Sequence, residues 1–317
     1  MKIMDIIRDI DSLKLKNTIV TLGKFDGNHL GHTLLFDTAI RLKMPGMKTV
    51  IFTFDIHPAA VIRDDVLRTI QTQGEKEQYH YPDGIDYVVE FPFNKETMSM
   101  EPETFIRDIL VDKLDVKVIV VGRDFCFGKN RSGNVQTLLS LGEKYGFTVN
   151  ALEKLKFKPS DKSEFVEISS TLIKEEILNG NMEDVWKMLG RPFCITGEVL
   201  HGKHLGSQIG FPTINMMVPD DKILPPDGVY ATKTRIEGEE YLSITNVGRR
   251  PTFEDGDFRT IETNLFDFDG DLYGKTAAVD FYRFIRPEKK FADVSELTQE
   301  IAANKLAVLA YFHKNEN

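Results

Sequence analysis

Short runs of apolar and β-branched residues alternate with longer amphipathic stretches through roughly the first 190 positions. The runs at residues 18–22, 49–54, 85–91, 116–121 and 147–152 read as strands, and the stretches 34–42, 102–114 and 135–145 carry helical spacing. The last stretch follows Asn134, a good N-cap, and stops before Gly146, a residue suited to the left-handed position that ends a helix. Nearly continuous apolar strands separated by helices predict an α/β domain, a doubly wound parallel sheet covered on both faces. Ligands of such sheets sit at the carboxyl ends of the strands.

The pattern changes near residue 191. Strand-like segments at 195–200, 229–236, 240–247, 260–268 and 277–284 follow one another with no helix between them. Glu237-Gly238-Glu239 reads as a hairpin turn joining two of them. One amphipathic stretch, 294–313, follows. This order predicts a small β-barrel with a C-terminal helix packed on it. No long linker separates the halves, so a tight boundary is expected, giving domains 1–188 and 189–317.

Composition narrows the function. The 317 residues are 41% hydrophobic and 28% charged, with a formal net charge of −9. An acidic chain lacks the diffuse positive field that nucleic-acid binders use. No apolar run approaches the roughly 18–20 residues of a membrane span. Acids at Asp5, Asp9 and Asp11 break the apolar character of the opening segment, against a signal peptide. The two cysteines, Cys126 and Cys194, make no disulfide framework and no metal-type pair. A soluble, reduced, cytoplasmic protein is expected.

The first candidate site is VTLGKFDGNHLGH, residues 20–32, where a strand passes through Gly23, Gly27 and Gly31 towards a helix. Glycines let the backbone turn sharply and approach a ligand. A helix beginning near His32 would offer amide donors and a positive dipole end to phosphate. His29 and His32, three apart, can point to one place and stabilise charge that builds up during phosphoryl or nucleotidyl transfer. The plainer reading is one structural and one exposed histidine, and the combination of strand, glycine turn and helix start argues against it.

This segment resembles the His-x-Gly-His signature of nucleotidyltransferases, in the G-x-F-D-G-x-H-x-G-H form of bacterial FAD synthetases. FTFDIHP at 52–58, VGRDFCFGKNRSG at 121–133 and ISSTLIK at 168–174 agree in the same order. The resemblance implies catalytic roles for His29 and His32. It implies nucleotide or flavin contacts for Gly23, Phe25, Asp26, Gly27, Gly31, Asp124, Phe125, Ser169, Ser170, Thr171 and Lys174. Read alone, Ser169, Ser170 and Thr171 are hydroxyl caps opening a helix, with Lys174 bringing charge to the same end. The chain departs from the family pattern at Lys24, Ile56, Cys126 and Lys174, where Asn, Pro, Arg and Arg are usual; Lys keeps the charge at 174 without the bidentate fork.

The second candidate site is GEVLHGKHLGSQIGFPTIN, residues 197–215, with glycines at Gly202, Gly206 and Gly210. Such a loop can cradle phosphates, though glycine-rich loops are common. Followed by Phe211-Pro212-Thr213-Ile214-Asn215 it resembles the G-F-P-T-x-N motif of riboflavin kinases. DGVY at 227–230, NVGRRPTF at 246–253, IETNLFDFDGDLYG at 261–274 and RFIRPEKKF at 283–291 match further along. The resemblance implies that the glycine loop and Pro212 contact ATP, that Thr213 and Asn215 hold Mg²⁺ with it, and that Arg286 contacts flavin. It also implies Glu262 as the general base that phosphorylation of an alcohol needs. Ser207 and Asn264 stand where a basic residue and His are usual.

Together the resemblances span nearly the whole chain and point to the bacterial bifunctional riboflavin kinase/FAD synthetase family. They imply ATP and Mg²⁺, and flavins as substrates and products. Two competing readings remain at this level: a kinase with a silent adenylyltransferase half, and a flavin-binding regulatory protein. GDLYGKT at 270–276 resembles a phosphate-binding P-loop but has one residue too few between its glycines and lies between strands.

Overall fold

The computed structural model describes residues 5–55, 68–161, 163–200, 212–251 and 257–315. The chain forms two compact units, one of residues 1–67 and 78–169, the other of 68–77 and 170–317.

The first unit is built on a six-stranded parallel sheet of β1 (Asp5–Ile7), β2 (Thr18–Leu22), β3 (Lys48–Phe54), β4 (Tyr87–Phe91), β5 (Val116–Gly122) and β6 (Thr148–Leu152), in the order β1-β4-β3-β2-β5-β6. The two faces bury two separate cores. Val20, Val50, Phe52, Val89, Ile119 and Val121 pack with Phe105, Ile106, Leu110 and Leu138 on one side. Ile19, Ile51, Val88 and Val120 pack with Leu35, Phe36 and Ala39 of α1 (Leu30–Leu42) on the other. Alternate strand residues thus feed opposite cores, which is why the strands read as unbroken apolar runs.

α1 starts four residues before the 34–42 pattern and β1 is an additional edge strand. The expected helix at 102–114 begins at Pro102 and widens over Ile106–Val111, where Asp112 N–H bonds to Arg107 O at 2.9 Å, five residues back. α2 (Val135–Tyr145) is capped as expected: Asn134 accepts from Thr137 N–H at 3.0 Å, and Gly146 takes φ +78°.

The second unit contains helices α3 (Ser170–Leu178) and α4 (Met182–Leu189), a barrel, and α5 (Val294–Asn315). The barrel strands are β7 (Phe193–Leu200), β8 (Ile214–Met217), β9 (Gly228–Ile236), β10 (Glu239–Pro251), β11 (Asp257–Leu265) and β12 (Thr276–Pro287). All pairs are antiparallel, and the order β7-β8-β11-β10-β9-β12 closes back on β7. β8 has no counterpart among the five expected strands. Val229, Ala231, Ile244 and Phe266 pack under Val308, Tyr311 and Phe312 of α5 on the outer face. Residues alternating with these turn inward. There Thr234, Ser243, Thr232, Thr245 and Thr263 are fully buried and joined by hydroxyl contacts of 2.8–2.9 Å, so the polar lining is satisfied within itself.

The units divide the chain differently from the expected 1–188 and 189–317. α4 packs on β7 and β12, which brings residues 170–189 to the barrel. Residues 68–77 also belong there. Ile223 N–H bonds to Thr69 O at 3.0 Å, and Lys222 is buried against Glu75 at 2.6 Å. The Lys222 ammonium also donates to Ile70 O and Cys194 O, at 2.7 and 2.6 Å. Glu75 in turn accepts from Thr196 N–H at 3.0 Å. Each charge is therefore both paired and hydrogen-bonded, the condition under which ions tolerate burial.

Candidate active sites

In the parallel sheet, successive strands from β2 run to β3 and β4 on one side, while β5 lies on the other side of β2. The direction of winding reverses between β2 and β5, and the crevice at their carboxyl ends is where doubly wound sheets take ligands. Gly23 follows β2 and Asp124 follows β5, so both expected segments flank that point.

The turn after β2 is conformationally demanding. Phe25, Gly27 and Asn28 take φ of +50°, +86° and +41°. Left-handed values at two non-glycine residues are uncommon and cluster at functional turns. α1 begins directly after it, with His29 in the cap position and His32 in the first turn, so the two imidazoles share a face. Their rings stack with centroids 3.6 Å apart and planes 20° from parallel. A Cβ at Gly31 would lie 3.0 Å from the His29 ring, so the small residue between the histidines lets the stack form. Phe25 meets the His32 ring edge-on at 5.1 Å and Phe36 at 5.0 Å, locking one side of the pair. Asp26, Asn28 and His29 are buried in this turn. The result is a pair of rigidly held imidazoles at a helix N-terminus, an arrangement that favours phosphate oxygens.

Asp124 and Phe125 lie in the turn after β5, where Phe125 N–H bonds to Gly122 O at 3.0 Å. Phe125 stacks on Phe127 at 5.6 Å, and exposed Asp124 pairs with Lys154 at 2.9 Å. That contact, with a second to Glu167, holds the Lys154 ammonium above its usual pKa. Ser169 closes the first unit, while Ser170, Thr171 and Lys174 lie in the first turns of α3 in the second unit. Cys126 is half-buried, with its thiol 3.6 Å from Asp124 O.

In the barrel, register assembles residues far apart in sequence. Asn215 of β8 is the direct partner of Glu262 of β11, and Glu262 is the partner of Asn246 of β10. Asn246 pairs with Val229 of β9, which pairs with Arg286 of β12. These five residues form one transverse row, on the outer face that Val229 shares with α5. Asn215 is buried and Glu262 half-buried. Arg286 is held by Glu300 at 3.0 Å, Asn304 at 3.3 Å and its own neighbour Pro287 O at 2.9 Å. The row thus unites Asn215, Glu262 and Arg286 and adds Asn246, whose side chain donates to Glu288 at 3.4 Å. Asn246 was not singled out in the sequence, although it opens the NVGRRPTF segment.

Thr213 and Pro212 lead directly into β8. Thr213 and Asn215 present a hydroxyl and an amide oxygen, the hard donors magnesium prefers when phosphates supply its remaining ligands. Among the described residues no group of three or more His, Cys, Asp or Glu could hold a metal. Gly202, Gly206, Gly210 and Ser207, like Ile56 in the other half, lie outside the described residues. The segment 270–275 is the connection into β12, with no helix after it, as its rejection as a P-loop requires.

The comparisons with known proteins cover both halves. The FAD synthetase family model matches residues 11–171, and the riboflavin kinase family model matches residues 189–312. A bifunctional riboflavin kinase/FMN adenylyltransferase of Buchnera aphidicola subsp. Acyrthosiphon pisum (strain APS) is 35% identical over 320 residues, covering 99% of this chain and 100% of that protein. The protein of the same name from Bacillus subtilis (strain 168) is 36% identical over 301 residues, covering 93% and 92%. The crystal structure of a Streptococcus pneumoniae protein named Macrolide-efflux Protein has a TM-score of 0.86 at 29% identity, covering 96% of this chain and 98% of that one. Among the described residues no helix is long and apolar enough to cross a membrane. With both halves matched in order and relatives aligned from end to end, the chain belongs to the bifunctional riboflavin kinase/FMN adenylyltransferase family.

Proposed function

We infer that the protein carries out two successive reactions in flavin synthesis, in the cytoplasm and on small molecules alone. The half expected over 189–317 phosphorylates riboflavin with ATP to give FMN and ADP. The half expected over 1–188 transfers AMP from a second ATP to FMN, giving FAD and pyrophosphate. The observation that carries the reading is the transverse row in the barrel, which sets a carboxylate beside two oxygen donors and in line with a distant guanidinium.

In the kinase step Glu262 accepts the proton of the ribityl hydroxyl as that oxygen attacks the γ-phosphorus of ATP and ADP leaves. Held in a strand between two neighbours, the carboxylate keeps its position through the reaction, the preorganisation that makes a base effective. Thr213 and Asn215 hold magnesium with the triphosphate, and the ion when bound neutralises charge on the phosphate oxygens. From Glu262 to Arg286 the row crosses three strand spacings, about 14 Å. The resemblance assigns Arg286, at the far end of the row, to the flavin.

In the adenylyl step an FMN phosphate oxygen attacks the α-phosphorus of ATP and pyrophosphate leaves. No covalent enzyme intermediate is needed, so the site calls for positioning and charge stabilisation rather than a nucleophile. His29 and His32 donate hydrogen bonds to the phosphate oxygens at the start of α1. The glycine turn admits the nucleotide, and Phe25 and Asp26 fix the turn. The resemblance assigns Asp124, Phe125, Ser169, Ser170, Thr171 and Lys174 to the nucleotide and flavin of the same reaction. In the kinase half it likewise assigns Gly202, Gly206, Gly210 and Pro212 to ATP.

The test is incubation of the protein with Mg-ATP and either riboflavin or FMN, with products resolved by chromatography. FAD from both substrates is expected. FMN without FAD would leave a kinase joined to a silent adenylyltransferase, and no product would leave a flavin-binding role.

A further inference from the structure

Pro212 has no N–H, so the chain entering β8 cannot begin with a full set of ladder hydrogen bonds. The β8–β11 ladder pairs Asn215 with Glu262 and Ile214 with Thr263. Continued by one position, it sets Thr213 opposite Asn264, just where the regular pairing ends. There a side chain supplies the donor for the Pro212 carbonyl. Asn264 Nδ2 donates to Pro212 O at 2.7 Å, and Asn264 is buried with only 9% of its surface exposed. The bond fixes the peptide plane between Pro212 and Thr213, and with it the direction in which the Thr213 hydroxyl leaves the chain. Asn264 also lies two residues after Glu262, on the same outer face of β11. One strand therefore carries the carboxylate and, beside it, the clamp on the neighbouring loop.

We propose that Asn264 is a positioning residue for the kinase site, holding the Pro212–Thr213 peptide so that Thr213 and Asn215 meet magnesium and the nucleotide together. The inference rests on the reading of Thr213 and Asn215 as the residues that hold Mg-nucleotide. What the position requires is a donor. Asp has nearly the shape of Asn but presents an acceptor to an acceptor, whereas His keeps an N–H.

The experiment is calorimetric titration of the full-length protein with ADP in the presence of Mg²⁺, using wild type, Asn264→Asp and Asn264→His. Steady-state kinetics of FMN formation and of FAD formation from supplied FMN accompany it. Asn264→Asp is expected to weaken Mg-ADP binding about tenfold or more, to raise KM for ATP and the Mg²⁺ concentration needed for half-maximal rate, and to leave FAD formation at the wild-type rate. Asn264→His is expected to recover most of the affinity. Unchanged Mg-ADP affinity in Asn264→Asp, or equal losses in the Asp and His variants, would overturn the positioning role. An Asp variant that also lost FAD formation would be a folding defect, and the His variant alone would then decide: near-native affinity supports the donor role, and a tenfold loss in a folded His variant overturns it. Failure of the underlying reading is separate, because Thr213→Val and Asn215→Leu would then leave Mg-ADP affinity at the wild-type value.

Discussion

Asn215 and Glu262 are direct partners across two antiparallel strands, with Asn246 on the other side of Glu262 in the same row. An amide and a carboxylate so paired share one face of the barrel at a spacing of roughly 4.5–5.5 Å between Cβ atoms. On the function proposed above, metal holding and proton acceptance would occupy adjacent positions of one sheet.

Glu262→Gln keeps the size and hydrogen-bonding capacity of the side chain but removes its basicity. FMN formation from riboflavin is expected to fall by about 10²–10⁴, the range for loss of a general base. FAD formation from supplied FMN should not change. Chromatography of the two reactions, run on one preparation, separates a lost base from a misfolded chain.

The opposite pattern is expected from His32→Ala. Removing a donor aimed at developing charge costs about 10²–10³ in rate, so FAD formation should drop by that much while riboflavin is still phosphorylated. An equal loss in both reactions would point to general unfolding.

The Lys222 ammonium is fully buried against Glu75 and makes three hydrogen-bonding contacts. Removing one partner of such a pair leaves the other charge buried and unpaired, at a cost of about 3–5 kcal/mol. Glu75→Ala is therefore expected to shift the denaturant midpoint of the barrel unit strongly. Joint replacement, Glu75→Leu with Lys222→Met, should cost much less than Glu75→Ala alone, and equal losses would rule out the charge as the cause.

Burial pushes the Cys194 thiol up to about 12, and nearby Asp280 adds to the effect. Because the thiolate is the reactive form, the raised pKa keeps the Cys194 thiol almost wholly protonated at pH 8. Ellman's reagent at pH 8 should therefore titrate Cys126 promptly and Cys194 only after denaturation. Two fast equivalents from the native protein would contradict this.

Much of the first unit was legible because its signals are local. Strand β2, the turn through Gly27 and the His29/His32 pair lie within fifteen consecutive positions, and Asn134 and Gly146 end α2 by short-range hydrogen bonding. The barrel was legible in class but not in closure. β8 is only four residues long and follows a proline, so neither length nor alternation marks it as a strand. Glu262 and Asn215 were each identifiable by motif, but their pairing and the place of Asn246 depend on strand register, which no single segment encodes. The assignment of residues 68–77 to the barrel unit was invisible for the same reason. It rests on a charge pair between residues 147 positions apart.

That separation also gives the protein a history during its own synthesis. At about 5–20 residues per second, Glu75 leaves the ribosome about 7–30 s before Lys222 follows. The parallel strands on either side of residues 68–77 can pair in that interval, while Glu75 must wait in water for its cation. The barrel therefore takes up a segment made long before it, and any chaperone or protease meeting the nascent chain meets residues 68–77 first in their undocked form.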